Sequence, residues 1–217
     1  MAVDAITLLK NDHKTVERLF KRFEKAEEDR EKQQIVDEII RELSIHAAIE
    51  EQVFYPAIRE VMPDEEDTVL EALEEHHVAK WILSELYDMS PTAERFDAKV
   101  TVLIESVRHH VEEEEGELFP DVREKLGRKQ LGEVGAALEK AKRTAPRKPQ
   151  PTMPDTPPGN ITTRTAATAL QEAKSGVKAP RPAKRATAGR KKAATKRTTA
   201  KRAPARKATK KATRKRT

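Results

Sequence analysis

An eleven-residue pattern occurs twice in this chain, and its two copies begin 64 residues apart. The first copy, HAAIEEQVFYP, begins at His46, and the second copy, HVEEEEGELFP, begins at His110. His110 is preferred to its neighbour His109 because only His110 keeps the spacing to the proline that ends each copy. Residues at positions i and i+4 share one face of an α-helix. His46 with Glu50, and His110 with Glu114, are therefore predicted to point pairs of metal-ligating side chains in one direction.

Two further histidines follow the same duplication. His13 and His76 lie 63 residues apart, and apolar residues follow each of them three, six, seven and ten positions later. The neighbouring His77 would place Lys80 at the first of these offsets, so His76 is the better candidate of the doublet. A duplicated half of about 64 residues accounts for all four histidines.

The spacing of apolar residues, alternately three and four positions apart, predicts long helices. Asp4 is expected to cap the first helix, and bends are expected at Pro56 and Pro120, whose rings remove a backbone donor. The predicted spans are residues 4–27, 29–61, 64–89 and 92–125, followed by a short amphipathic helix over 129–143. Four long helices with short connections favour an all-α fold, an antiparallel up-down four-helix bundle.

Charge is divided between the two ends of the chain. Residues 1–140 contain 19 Lys/Arg against 35 Asp/Glu, a net charge of −16, whereas residues 141–217 contain 24 Lys/Arg against two acids, a net charge of +22. We therefore predict a helical domain over residues 1–143, a proline-rich linker over 144–177 and a basic tail over 178–217. The tail has too little apolar surface to offset the entropy of ordering, so it is expected to be disordered.

The candidate metal ligands are His13, His46, Glu50, His76, His110 and Glu114. They fall on the apolar stripes of four successive helices, where ionisable side chains are unfavourable unless they are paired or coordinated. Hydrogen-bonded core histidines would explain one or two of these positions, and coordination explains the whole set. Imidazole and carboxylate ligands without cysteine suit iron or manganese, with zinc as an alternative. Six ligands fit two ions, joined by an oxo or hydroxo bridge, better than one.

At this point about residues 1–125 resemble the hemerythrin-like family, specifically its HHE cation-binding domains. The resemblance rests on the dipeptide DH at Asp12, on HAAIEEQVFYP, on EEHH and on HVEEEEGELFP. It implies an up-down bundle with a non-haem di-iron centre that meets oxygen, peroxide or nitric oxide, or that senses or stores iron. By matching positions, the resemblance implies the same six ligands.

The sequence departs from the oxygen-carrying hemerythrins at one position. Their third helix has His-x-x-x-His, but the fourth residue after His76 is Lys80. The resemblance therefore does not imply reversible oxygen carriage. Glu51 and Glu115 are either additional, exchangeable ligands or acids that lie outside the coordination sphere, and the second interpretation is favoured.

Residues 178–217 contain 18 basic residues in 40 and resemble the tails of linker histones and of bacterial histone-like proteins. Such a tail binds DNA, or RNA, without reading its sequence, because each neutralised phosphate releases condensed counterions. Alternatives are a tail that folds back on the acidic bundle or that serves only for solubility.

The expected function is therefore a di-iron protein for oxygen, peroxide or nitric oxide response or iron handling, tethered to DNA by its basic tail. The alternatives are a histone-like architectural protein with a structural metal site, and a catalase-like or oxygen-reducing enzyme. No signal peptide or membrane span is recognised, which favours a cytoplasmic protein. The basic tail adds the expectation that the protein is associated with the nucleoid.

Overall fold

A computed structural model describes residues 3–152 of the chain, and this part is helical without strands. The remainder of the predicted linker, after residue 152, and the predicted tail over 178–217 lie outside the described residues. The helices are α1 (Ala5–Phe23), α2 (Asp29–Ile49), α3 (Tyr55–Val61), α4 (Glu66–Tyr87), α5 (Phe96–Glu113), α6 (Phe119–Lys125) and α7 (Arg128–Lys142). The predicted all-α helical bundle is confirmed.

Cross-helix contacts show that α1 and α2 run antiparallel. Arg22 pairs with Glu38 near one end of the two helices, and His13 contacts His46 nearer the other end. Helices α4 and α5 have the same arrangement, with Lys99 paired to Glu85. Helix α2 packs on α4 and so joins the two halves. None of the described helices combines the length and apolar composition that crossing a membrane requires.

Two π-helical turns, Glu50–Phe54 and Glu114–Leu118, connect α2 to α3 and α5 to α6. They stand at the two places where the sequence predicted a bend. The N–H of Tyr55 donates to the carbonyl of Glu50, five residues earlier, and the equivalent N–H of Phe119 donates to the carbonyl of Glu114. Each wide turn ends two residues before a proline, which has no backbone N–H to donate. The change in hydrogen-bond spacing lets the helix continue past this residue.

The helix ends differ from the predicted ends mainly in the connections. Helix α1 ends at Phe23, earlier than predicted, and α5 begins only at Phe96, because residues 88–95 form turns after α4. Asp4 caps α1 as predicted, since its carboxylate accepts from the backbone N–H of Thr7 at 3.0 Å.

The apolar core consists of two clusters with a polar layer between them. One cluster includes Leu9, Ile49 and Leu73, and the other includes Val16 and Leu83. On each of the four long helices, the candidate histidine lies where one cluster gives way to the other. The fold therefore buries a layer of ionisable side chains that the apolar core does not neutralise.

Candidate metal centre

Four buried histidines meet in this layer as two pairs. The Nε2 atoms of His13 and His46 lie 3.1 Å apart, and those of His76 and His110 also lie 3.1 Å apart. Two ligands at adjacent positions on one ion, with metal–nitrogen bonds of about 2.1 Å, are separated by roughly 3 Å. Each pair therefore has the spacing of two imidazoles that share an ion.

The carboxylate of Glu50 lies between the two histidine pairs. Its Oε2 atom is 3.1 Å from Nε2 of His46 and 3.4 Å from Nε2 of His76. Glu50 is completely buried, and neither of its oxygens has a hydrogen-bond partner among the described residues. A buried carboxylate without a partner is strongly unfavourable, so this position fits a bound cation.

Glu114 occupies the equivalent position in the second half. Its Oε2 atom is 3.4 Å from Nε2 of His13 and 3.6 Å from Nε2 of His110, again one histidine from each pair. The hydroxyl of Tyr55 donates to its other oxygen, Oε1, at 2.9 Å. The structure thus brings together all six side chains that the sequence selected, with both carboxylates placed between the histidine pairs.

The outward nitrogen, Nδ1, of each histidine faces a carboxylate. At hydrogen-bond distance, such a carboxylate accepts a hydrogen bond from the Nδ1–H group and leaves the Nε2 lone pair pointing inward, which is the usual support of a metal-binding histidine. The Nδ1–carboxylate distances are 2.9 Å for His13 with Glu115, 3.2 Å for His76 with Glu51 and 2.8 Å for His110 with Glu75. Nδ1 of His46 lies 3.9 Å from Asp12, which is an ion-pair contact beyond hydrogen-bond distance.

Sequence reasoning did not find the roles of Asp12 and Glu75. Each precedes a candidate histidine directly, and the two lie 63 residues apart, so the duplication itself contained the signal. Glu51 and Glu115 contact Nδ1 of His76 and His13, and their position outside the coordination sphere stays a prediction. His77 and His109, the neighbours that register excluded, are exposed.

Burial and the neighbouring charges give the two glutamates different acidities. Burial, reinforced by the nearby carboxylate of Glu114, raises the pKa of Glu50. Burial acts on Glu114 in the same direction, but the charge of His110 and other histidine contacts lower the pKa of Glu114 to about 2. Burial lowers the pKa of His46 to about 4, which keeps its imidazole neutral at physiological pH. A neutral imidazole beside carboxylates is a ligand combination suited to a divalent cation.

Aromatic rings close one side of the centre. The ring of Phe119 stacks on His13 at 5.8 Å, and the ring of Tyr55, its equivalent in the first half, lies 5.6 Å from His76. Tyr55 and Phe119 therefore fix the two histidines from equivalent positions. They differ in chemistry, because only Tyr55 also donates to a candidate ligand.

A cavity of about 30 Å³ lies beside the histidines. Its wall is largely apolar and includes Val16, Leu43, Leu83 and Val107, with Lys80 at its edge. The space suits a water or diatomic molecule, since one water needs roughly 10–15 Å³ by this measure. The arrangement can thus bring a small ligand next to the histidine pairs and keep larger molecules away.

Comparisons with known proteins identify the family and agree with the helical fold. The sequence profile described as "Hemerythrin HHE cation binding domain" matches residues 4–122. The fold is similar to the crystal structure of a hemerythrin HHE cation binding domain-containing protein from Mycobacterium kansasii, with a TM-score of 0.56 and 24% identity, covering 65% of this chain and 88% of that chain.

Two curated proteins are also similar in sequence. A DNA nickase from Nostoc sp. is 30% identical over 135 residues, which is 62% of this chain and 38% of the nickase. An uncharacterized hemerythrin-like protein from Schizosaccharomyces pombe is 26% identical over 123 residues, which is 56% of this chain and 61% of that protein. The chain thus spans less than two thirds of the length of either relative.

Proposed function

Because the chain belongs to the hemerythrin HHE cation-binding family, we propose that its bundle holds a pair of non-haem iron ions. The proposed ligands are His13, His46, Glu50, His76, His110 and Glu114. The observation that carries the proposal is the position of the two buried glutamates. Each lies within 3.6 Å of one histidine from each pair, which supports a role of both glutamates toward two ions.

Two irons joined by an oxo or hydroxo bridge would supply redox chemistry toward oxygen, peroxide or nitric oxide. The residues of the chain orient the ligands and control access to the centre. Carboxylates hold the histidine Nε2 atoms inward, the hydroxyl of Tyr55 positions Glu114, and the apolar cavity admits a small molecule while limiting bulk water. Manganese or zinc at one position is the alternative that metal analysis distinguishes.

We propose further that residues 178–217 hold this centre close to DNA. The support is the concentration of 18 basic residues in these 40 and the DNA nickase among the relatives. A centre that consumes peroxide or ferrous iron at that location limits their reaction with DNA. The binding is expected to be independent of sequence, because it depends on phosphate charge.

Metal analysis of the full-length protein, purified without oxygen, tests the di-iron assignment. We expect two iron ions per chain and an optical change when oxygen is added.

Substituting His46→Ala or His110→Ala should remove metal and lower stability together, because it leaves a carboxylate buried and uncompensated. The matched control His77→Ala changes an exposed histidine and should do neither. A folded wild-type protein that takes up no iron contradicts the assignment.

A second candidate function is metal-dependent nicking of DNA, favoured by the similarity to the Nostoc DNA nickase. Supercoiled plasmid separates this candidate from the first. Conversion to the open circle by iron-loaded protein, abolished by His46→Ala but not by His77→Ala, supports nicking. Plasmid that stays supercoiled while bound favours a protein that handles iron or small oxidants beside DNA.

A further inference from the structure

The second half of the bundle carries an exposed cluster of ligating side chains that the first half lacks. Nε2 of His109 lies 3.3 Å from Oε1 of Glu113 and 4.0 Å from Oε1 of Glu75. The three ligating atoms all lie within 4.8 Å of one another. His109 is 64% exposed, and this cluster lies outside the six proposed ligands of the buried centre.

The duplication shows what stands at the equivalent places in the first half. His109 and Glu113 correspond to Ile45 and Ile49, which are buried in the core cluster that includes residues of α7. Helix α7 packs on α1 and α2, so the first half is covered where the second half is open. Among the described residues, an exposed histidine and a half-buried glutamate one helical turn apart thus stand at the positions that two core isoleucines hold in the first half.

The carboxylates before the buried histidines also differ between the halves. Asp12 forms an ion pair with Lys142, the last residue of α7, whose ammonium places a cation beside that carboxylate. The equivalent residue, Glu75, has one oxygen 2.8 Å from Nδ1 of His110 and turns the other toward His109. In the first half, the ammonium of Lys142 lies beside the Asp12 carboxylate. In the second half, the imidazole of His109 faces the equivalent carboxylate, that of Glu75.

We propose that Glu75, His109 and Glu113 bind one divalent transition-metal ion at the surface, separate from the buried centre. With bonds of about 2.0–2.2 Å, two ligands of one ion are separated by roughly 3 Å when adjacent and 4 Å when opposite. The two distances from Nε2 of His109, 3.3 and 4.0 Å, fall in this range, and all three ligating atoms lie within 4.8 Å of one another. One imidazole and two carboxylates suit Fe²⁺, Zn²⁺ or Mn²⁺.

The surface site has only three protein ligands, so water completes its coordination and the ion exchanges with solvent. Its link to the buried centre is Glu75, which contacts both His109 and His110. Variants of Glu75 would therefore change both sites, whereas variants of His109 and Glu113 separate them. The proposal does not depend on which ion fills the buried centre.

Calorimetric titration of the full-length, iron-loaded protein with Zn²⁺ tests the proposal. Wild type and His77→Ala should bind one more Zn²⁺ per chain than His109→Ala. Glu113→Gln should weaken that binding by at least the roughly tenfold that even outer partners of a metal contribute. Circular dichroism establishes that the exposed substitutions leave the fold intact.

Equal Zn²⁺ stoichiometry and affinity in wild type, His109→Ala and Glu113→Gln would overturn the surface site. Iron is measured in the same samples, so failure of the buried di-iron assignment gives a different result. In that case iron is missing from every sample, while the difference in Zn²⁺ binding between wild type and His109→Ala still reports on the surface site.

Discussion

Glu51 and Glu115 occupy equivalent places in the two halves, and each pairs with a lysine as well as with a histidine. The pair of Lys80 with Glu51, at 2.8 Å, is buried, with side chains 7% and 5% exposed. The pair of Lys10 with Glu115, at 3.2 Å, is near the surface, with side chains 35% and 31% exposed. Two ion pairs of the same chemistry thus differ mainly in their access to water.

This difference predicts unequal effects of the same substitution. Lys80→Met should destabilise the protein by about 3–5 kcal/mol, because it leaves the Glu51 carboxylate buried without its lysine cation and with only the His76 imidazole as a partner. Lys10→Met should lower stability by only about 0–1 kcal/mol, since water and salt screen the exposed pair. Urea denaturation of the two variants measures both values.

The double variant Lys80→Met with Glu51→Gln checks the cause. If the uncompensated charge causes the loss, neutralising Glu51 should restore much of the stability that Lys80→Met removes. A double variant less stable than Lys80→Met alone would assign the effect to packing around the lysine stem instead.

At the scale of helices, the π-helical turns explain why sequence reasoning could not predict that Glu51 is buried beside Glu50. Adjacent residues on a plain α-helix point about 100° apart, so periodicity places only one of Glu50 and Glu51 inside. In the structure both are buried, because the turn from Glu50 to Phe54 is wider than an α-helical turn. The prolines indicated an irregularity but did not reveal its form.

Helix α7 covers the first half through a close contact at Gly135. A Cβ atom added at Gly135 would lie 2.1 Å from the backbone oxygen of Val3 and 2.9 Å from the backbone nitrogen of Ala5. Backbone atoms at such distances cannot move aside cheaply, so Gly135→Ala should displace α7 from α1 and lower the thermal midpoint.

Gly132→Ala, in the same helix, is the matched control. No atom of residues 3–152 lies within 4 Å of a Cβ added at Gly132, so this substitution should stabilise the protein by up to about 1 kcal/mol through helix propensity. Thermal unfolding of the two variants should give shifts of opposite sign. A stabilised Gly135→Ala variant would contradict the close packing of α7 on α1.

The helical bundle and the meeting of six side chains were predictable because a duplicated pattern at helical spacing encodes both. Asp12 and Glu75 stand at equivalent positions of the same repeat. They lie outside the apolar stripes from which the candidate ligands were selected, so their contacts with histidines were not predicted. The covering role of α7 was not predictable, because the amphipathic pattern of residues 128–142 does not specify which half of the bundle the helix contacts. The ion pair of Lys142 with Asp12 was not predictable either, because it depends on the packing of α7 on α1.

At the scale of the whole molecule, charge is the property that most divides the chain. Residues 178–217 contain 18 basic residues and no acid. We expect full-length protein to bind duplex DNA with little sequence preference, and deletion of 178–217 to abolish that binding. The logarithm of affinity should fall linearly with the logarithm of salt concentration, with a slope of about 0.9 per phosphate contacted. Binding that is insensitive to salt or selective for sequence would contradict counterion release as the cause.

The acidic bundle is expected to compete with DNA for the basic tail, residues 178–217. Residues 1–140 have a net charge of −16, which attracts the cations that DNA phosphates also attract. We therefore expect an isolated peptide of residues 178–217 to bind DNA more tightly than the full-length chain at the same ionic strength. Raising the salt should narrow the difference, because screening weakens the attraction between the tail and the bundle. Equal affinities of peptide and full-length protein at low salt would exclude this competition, even where DNA binding by the tail itself is observed.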